Sequence, residues 1–142
     1  TELLRDHGIG SEIWSVTSYG ELRRIGMEHE RKKRLDPGKE SKPYVSECFG
    51  DATPTIATSD FISSVPEMIQ RWVGGRYVVL GTDGFGRSDS REALRTFFEI
   101  DTDSIVIAAL SALEQDGELP SGTVEKEMKT RGVSSQRIDK TE

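Results

Sequence analysis

Residues 81–88 read Gly-Thr-Asp-Gly-Phe-Gly-Arg-Ser, directly after the run RYVVL. A strand, a glycine-rich turn, a hydroxyl and a helix, in that order, can hold phosphates. Backbone N–H groups wrap the anion, a helix N-terminus faces it, and a lysine reaches the outer oxygens. Two residues stand against that chemistry here. Arg87 occupies the lysine position, and a planar guanidinium does not replace an ammonium point charge. Asp83 lies inside the loop, where its carboxylate repels a bound triphosphate. The loop also follows the last apolar strand rather than an early one, and only Asp60, after TIATS, is placed as a magnesium-binding acid. The residues therefore favour a strand-to-helix turn in which Ser88, or Asp89 with Ser90, caps the following helix. A stand-alone nucleotide- or anion-binding module using Gly81–Ser88 is the alternative.

Other chemistry-bearing residues are few. His7 and His29 are the only histidines, and their separation gives no metal-ligand spacing. His29 falls in the charged run EHERKKR, and His7 precedes Gly8, where an imidazole helps cap a helix end. Cys48, the single cysteine, excludes an internal disulfide or a cysteine-rich metal site and reads as a small buried hydrophobe. Trp14 and Trp72 read as core or domain-interface residues. The cluster Arg31-Lys32-Lys33-Arg34 fits a solvated helix face, with docking of an acidic partner as the other reading. No catalytic, cofactor-binding or metal-binding residue is assigned. Asp83, Gly84, Phe85, Gly86, Arg87, Ser88 and Asp89 form the candidate site, a loop at a strand end with an exposed aromatic and an arginine available for an inter-domain or subunit contact.

The positioning elements come from a chain of 142 residues, long enough for one domain with a sizeable core. A net charge of −6 argues against a nucleic-acid or anionic-membrane surface. No stretch approaches the roughly 20 apolar residues of a membrane span, and the start TELLRDHGIG lacks a signal-peptide pattern, so a cytoplasmic location is expected.

Leu3 and Leu4 with Gly8 and Gly10 predict the last turns of a helix stopped by glycine. SEIWSVTSY, residues 11–19, alternates and is rich in β-branched and aromatic residues, predicting a strand. Gly20 to Leu35 predicts a solvent-facing helix, and LDPGKESKP an exposed loop. PTIATS, residues 54–59, predicts the next strand. Phe61, Ile62, Val65, Ile69 and Trp72 then share a helical apolar face, with Ser64-Val65-Pro66-Glu67 as a capping box, so the main helix should run from about Val65 to Gly74-Gly75. Arg76 to Leu80 predicts a third strand, and SREALRTFF a short helix. DTDSIVIAALSALEQDG predicts a buried helix capped at Asp101–Ser104 and stopped at Gly117. Residues 120–131 predict a charged helix, and the tail VSSQRIDKTE is expected to fray. Strands alternating with helices imply an α/β sandwich with a mostly parallel sheet, with residues 43–49, PYVSECF, as the candidate for an extra strand.

GTDGFGRSDSREALRTFFEID followed by SIVIAALSAL resembles the closing segment of the decarboxylating first component of pyruvate dehydrogenase complexes, of the homodimeric bacterial type. EIWSVTSYGELRR and TSDFISSVPEMIQRWV resemble the preceding segments of that domain in the same order, and the resemblance runs from about Thr1 to about Gly117. Phe85-Gly86-x-Ser88 is similar to the corresponding turn of transketolases, the wider superfamily.

The resemblance implies a transketolase C-terminal-type domain, an α/β three-layer sandwich whose mostly parallel mixed sheet has five strands and helices on both faces. Residues 1–142 would form that single domain, lacking the family's first strand, with 118–142 a weakly ordered helix and tail. It also implies that thiamine diphosphate, magnesium and the catalytic histidines belong to earlier domains of the parent polypeptide, across a homodimer interface. This domain would bind no cofactor and be inactive alone. Its partners would be those domains, the second subunit and the lipoyl acetyltransferase component, without nucleic acid or membrane.

Overall fold

The computed structural model describes residues 2–38, 40–51 and 53–134. Its elements are α1 (Glu2–Arg5), α2 (Tyr19–Leu35), α3 (Tyr44–Phe49), β1 (Thr55–Thr58), α4 (Ser64–Glu67), a 3-10 turn (Gln70–Trp72), β2 (Tyr77–Leu80), α5 (Arg91–Phe97), α6 (Thr102–Gln115) and α7 (Thr123–Arg131). The two strands pair in parallel, Thr55 opposite Tyr77 and Thr58 opposite Leu80. Parallel pairing requires a crossover, and α4 with the 3-10 turn supplies it.

Two packing groups flank this pair. The first is built on α6, which lies against both strands and carries Val106, Ala109, Leu110 and Ala112 into the interior. Asp101 starts α6 by accepting the Ser104 N–H at 2.9 Å. Gly117 ends it with φ +79°, so that the Glu118 N–H reaches the Leu113 carbonyl at 2.9 Å. The second group joins Val45 of α3, Ile69 and Trp72, with Tyr19, Leu22 and Tyr77 against them. A Cβ on Gly26 would lie 2.6 Å from the Trp72 ring, so only glycine lets α2 approach that indole. The Trp72 Nε1–H donates to Glu30 Oε1 at 2.9 Å, which satisfies the polar edge of a ring otherwise buried.

Four sequence expectations are corrected. Residues 11–17 form no strand: Ser18 caps α2, its Oγ accepting the Glu21 N–H at 3.1 Å, and Ile13 stands 77% exposed. Alternation sets which way side chains point, but a strand needs a neighbour for its N–H and C=O groups, and none lies alongside among the described residues. PYVSECF is helical, α3, so the described sheet has two strands rather than three or more. The expected helix from Val65 to Gly74 is instead α4 and a separate 3-10 turn, with Met68 and Ile69 between them. The capping box does not form: the residue before α4 is Ser63, in αR backbone geometry with no side-chain cap, because its hydroxyl is engaged elsewhere. The described α1, α2, β1, β2, α5, α6 and α7 agree with the expectations. The tail 135–142 lies outside the described residues.

Candidate functional site

Because β1 and β2 are parallel and in register, both release their chains at the same edge, after Thr58 and Leu80. The following segments, 59–63 and 81–83, are laced together. The Ser59 N–H donates to the Leu80 carbonyl at 3.0 Å, the Thr82 N–H to the Phe61 carbonyl at 3.0 Å, and the Thr82 Oγ1 hydroxyl to the Asp60 carbonyl at 2.8 Å. Asp83 closes the lacing: its Oδ1 accepts the Ser63 N–H at 2.9 Å and its Oδ2 accepts the Ser63 hydroxyl. Bonds to an ionised acceptor are about twice as strong as neutral ones, so this carboxylate is the main brace of the loop.

Glycine is required at the point of closest approach. A Cβ on Gly81 would sit 2.6 Å from the Ser63 nitrogen and 2.9 Å from the Phe61 carbonyl oxygen. Gly84 takes φ +103°, which turns the chain outward and leaves Phe85 79% exposed. The chain then returns to α5. The Arg87 guanidinium lies 4.4 Å from the centroid of the Phe97 ring, within cation–π range. Asp89 Oδ1 accepts the Ser90 N–H at 2.8 Å, and Ser90 Oγ caps α5 by accepting the Ala93 N–H at 3.2 Å. Of the expected caps, Asp89 with Ser90 is used and Ser88 stays exposed.

This geometry disfavours phosphate binding. The loop carries a carboxylate, Asp83, bonded to Ser63 of the neighbouring segment, and its negative charge opposes a bound phosphate. The helix that follows is seven residues long, and its capping N–H is already held by Ser90. Arg87 is drawn over a ring of α5 instead of reaching into the loop. Among the described residues no three His, Cys, Asp or Glu side chains converge as metal ligands, and no helix is long and apolar enough to cross a membrane.

The two histidines are remote from this edge in their bonding. His29 Nε2 is 2.8 Å from Ser41 Oγ, and His7 Nε2 is 3.3 Å from Glu127 Oε2. Trp72 is core, as expected, whereas Trp14 is 47% exposed and meets the Phe49 ring edge-on at 5.2 Å. Cys48 is partly buried with a free thiol. The sequence reading did not find Ser63 as the partner of Asp83. Phe61 and Ile62, expected on an apolar helical face in a turn before the main helix, stand 67% and 52% exposed beside the loop. The signal available was the strand end itself, because residues immediately after a parallel strand belong to the edge rather than to the next helix.

The edge thus carries a braced turn that presents Phe61, Ile62 and Phe85 to solvent. The family model described as the transketolase-like TK C-terminal domain matches residues 1–101. The chain belongs to this family. Several curated proteins extend the similarity of this transketolase-like domain beyond residue 101. It is 46% identical over 140 residues, 96% of its length, to the pyruvate dehydrogenase E1 component of Pseudomonas aeruginosa. It is 45% identical over 119 residues, 82% of its length, to the protein of that name from Mycolicibacterium smegmatis, and 39% identical over 139 residues, 96% of its length, to that of Escherichia coli K12. The transketolase-like domain spans 13–16% of the length of these relatives. The expected resemblance is borne out, as is the α/β class, with the described sheet reduced to two parallel strands.

Proposed function

We propose that this chain is the C-terminal domain of a pyruvate-decarboxylating component that passes a two-carbon unit to the lipoyl group of an acetyltransferase. The observation that carries the reading is the alignment of nearly the whole chain with proteins bearing the name pyruvate dehydrogenase E1 component. In this reading, thiamine diphosphate supplies the carbanion chemistry and is held, with magnesium, by other domains of a cytoplasmic homodimer. The described residues do not fit either group, since no three metal-ligating side chains converge among them and the glycine loop turns a carboxylate, bonded to Ser63, where a diphosphate would need donors. No step of the reaction is assigned to them.

The domain's own role is contact. The Asp83–Ser63 brace anchors the start of the turn 84–87 and the Arg87–Phe97 contact its end, so that Phe85 and Arg87 can order against a neighbouring domain or subunit at reduced entropy cost. Exposed apolar side chains on a fixed edge are what such a contact requires.

The test uses the product of the reading frame that encodes this chain, assayed for pyruvate-dependent reduction of ferricyanide with thiamine diphosphate and magnesium. Turnover is expected, and its absence overturns the enzyme assignment. Phe85→Ser and Arg87→Ala in that protein should weaken dimerisation or turnover. If sedimentation and turnover both match the wild type, the contact role is overturned.

A further inference from the structure

The helix α2 is a basic element in an acidic chain. Its seventeen residues hold six arginines and lysines against three glutamates, whereas the chain as a whole carries −6. Arg24 is paired with Glu21, and Lys32 meets Glu28 at 3.7 Å. Arg31, Lys33 and Arg34 are exposed and make no ion pair among the described residues. Cations in a last turn complement the helix dipole, but that effect acts along the helix and does not gather charge from elsewhere. Lys42, from the loop before α3, comes to the face of α2 that carries Arg24 and Lys32. Arg24, Glu28 and Lys32, spaced i, i+4, line one wall of an open groove of about 440 Å³, and Lys42, Pro43 and Tyr44 line the other. Tyr44 is half exposed, which leaves an aromatic surface in a groove lined by Arg24, Lys32 and Lys42 with Glu28 and Glu47.

We propose that this groove between α2 and α3 docks a short acidic peptide segment of a partner protein. Carboxylates of the segment pair with Lys42 and, in exchange for Glu28, with Lys32, while an apolar side chain rests on Pro43 and Tyr44. The same groove carries Glu28 and Glu47, which a continuous phosphate backbone or a lipid headgroup layer would have to face. A peptide places its charges singly and avoids them. The chain's negative net charge likewise opposes an extended polyanion and tolerates a short one.

The experiment is fluorescence anisotropy of a fluorescein-labelled peptide, glutamates and aspartates flanking one leucine, titrated with the full polypeptide that carries this chain. Binding is expected to weaken with salt and to fall about tenfold in a Lys32→Glu/Lys42→Glu double variant. Tyr44→Ala should lose the advantage of the leucine over a charged residue at that position. All three side chains are exposed, so folding is kept, and matching far-UV circular dichroism checks it. Phe85→Ala, outside the groove lining, should bind the peptide as the wild type does, which separates this site from the glycine-loop contact. Equal binding by the double variant, equal binding of a glutamine and asparagine peptide, no binding by the wild type, or tighter binding of a single-stranded oligonucleotide or phosphatidylserine vesicles would each overturn the proposal.

Discussion

The Asp83 carboxylate grips Ser63 at two points, the backbone N–H 2.9 Å from Oδ1 and the hydroxyl on Oδ2. One side chain therefore joins the segments leaving both strands, twenty residues apart in sequence. Asp83→Ala removes both bonds and leaves the Ser63 N–H without this acceptor, at a cost of about 1–3 kcal/mol. Asp83→Asn keeps one oxygen for the N–H and should cost less. Ser63→Ala keeps the N–H bond and should also cost less than Asp83→Ala. Urea midpoints for the three variants and the double variant check the order, and a double variant equal to the sum of its singles would mean that the pair is not coupled.

Gly81 and Gly86 sit five positions apart in one loop, yet they answer to different constraints. A Cβ on Gly81 meets backbone at 2.6 Å, whereas one on Gly86 meets nothing within 4 Å. Gly81→Ala must push segment 61–63 away and should destabilise by about 1–3 kcal/mol, the usual range for overpacking. Gly86→Ala should change the melting temperature little. Equal effects of the two substitutions would show that glycine content in this loop reflects flexibility and not close approach.

This contrast also bears on how far the sequence could be read. Long segments with one dominant pattern were legible: α2 from its charge and its DPG stop, α6 from Asp101 to Gly117, and the strands from TIAT and YVVL. Segments whose fate depends on a neighbour were not. Residues 11–17 have strand chemistry without a described partner strand, and PYVSECF has strand-forming residues that α2 and the 3-10 turn accommodate as a helix. At the candidate site the glycines, the capping Ser90 and the objection to phosphate were all readable. The bond between Asp83 and Ser63 was not, because nothing local says which of two adjacent serines turns toward a carboxylate twenty residues on.

Arg131 gathers the last helix onto the rest of the chain. Its Nε donates to Glu127 Oε1 at 2.6 Å and a terminal nitrogen to Asp103 Oδ1 at 2.8 Å, while His7 approaches the other Glu127 oxygen. Burial pushes the Glu127 carboxyl up, but hydrogen bonds from Arg131 and His7, and their charges, bring it below its ordinary value. Removing Arg131 strands that carboxylate in a site with little water. Arg131→Met should cost about 2 kcal/mol, and Arg131→Met with Glu127→Gln should recover part of it. Thermal unfolding checks both, and a double variant worse than the single would overturn the account.

Glu114 links α6 to α7 through backbone alone, its two oxygens each accepting an N–H at 2.9 Å, from Gly122 and from Val124. Those bonds hold its carboxyl below the ordinary value of 4.5. A depressed folded value means that the unfolded chain takes up the proton first as pH falls, so the contribution is complete above 4.5 and is lost as pH drops through the folded value. Glu127 is shifted in the same direction, so the two carboxyls share one acid limb. Glu114→Gln is neutral throughout and should lower the melting temperature at neutral pH while flattening its decline below 4.5. Amide exchange of Gly122 and Val124 should rise in the same acid range in the wild type, because a protonated carboxyl is a weaker acceptor for both N–H groups. A melting curve whose acid limb is as steep in Glu114→Gln as in the wild type would place the loss of stability at some other carboxylate.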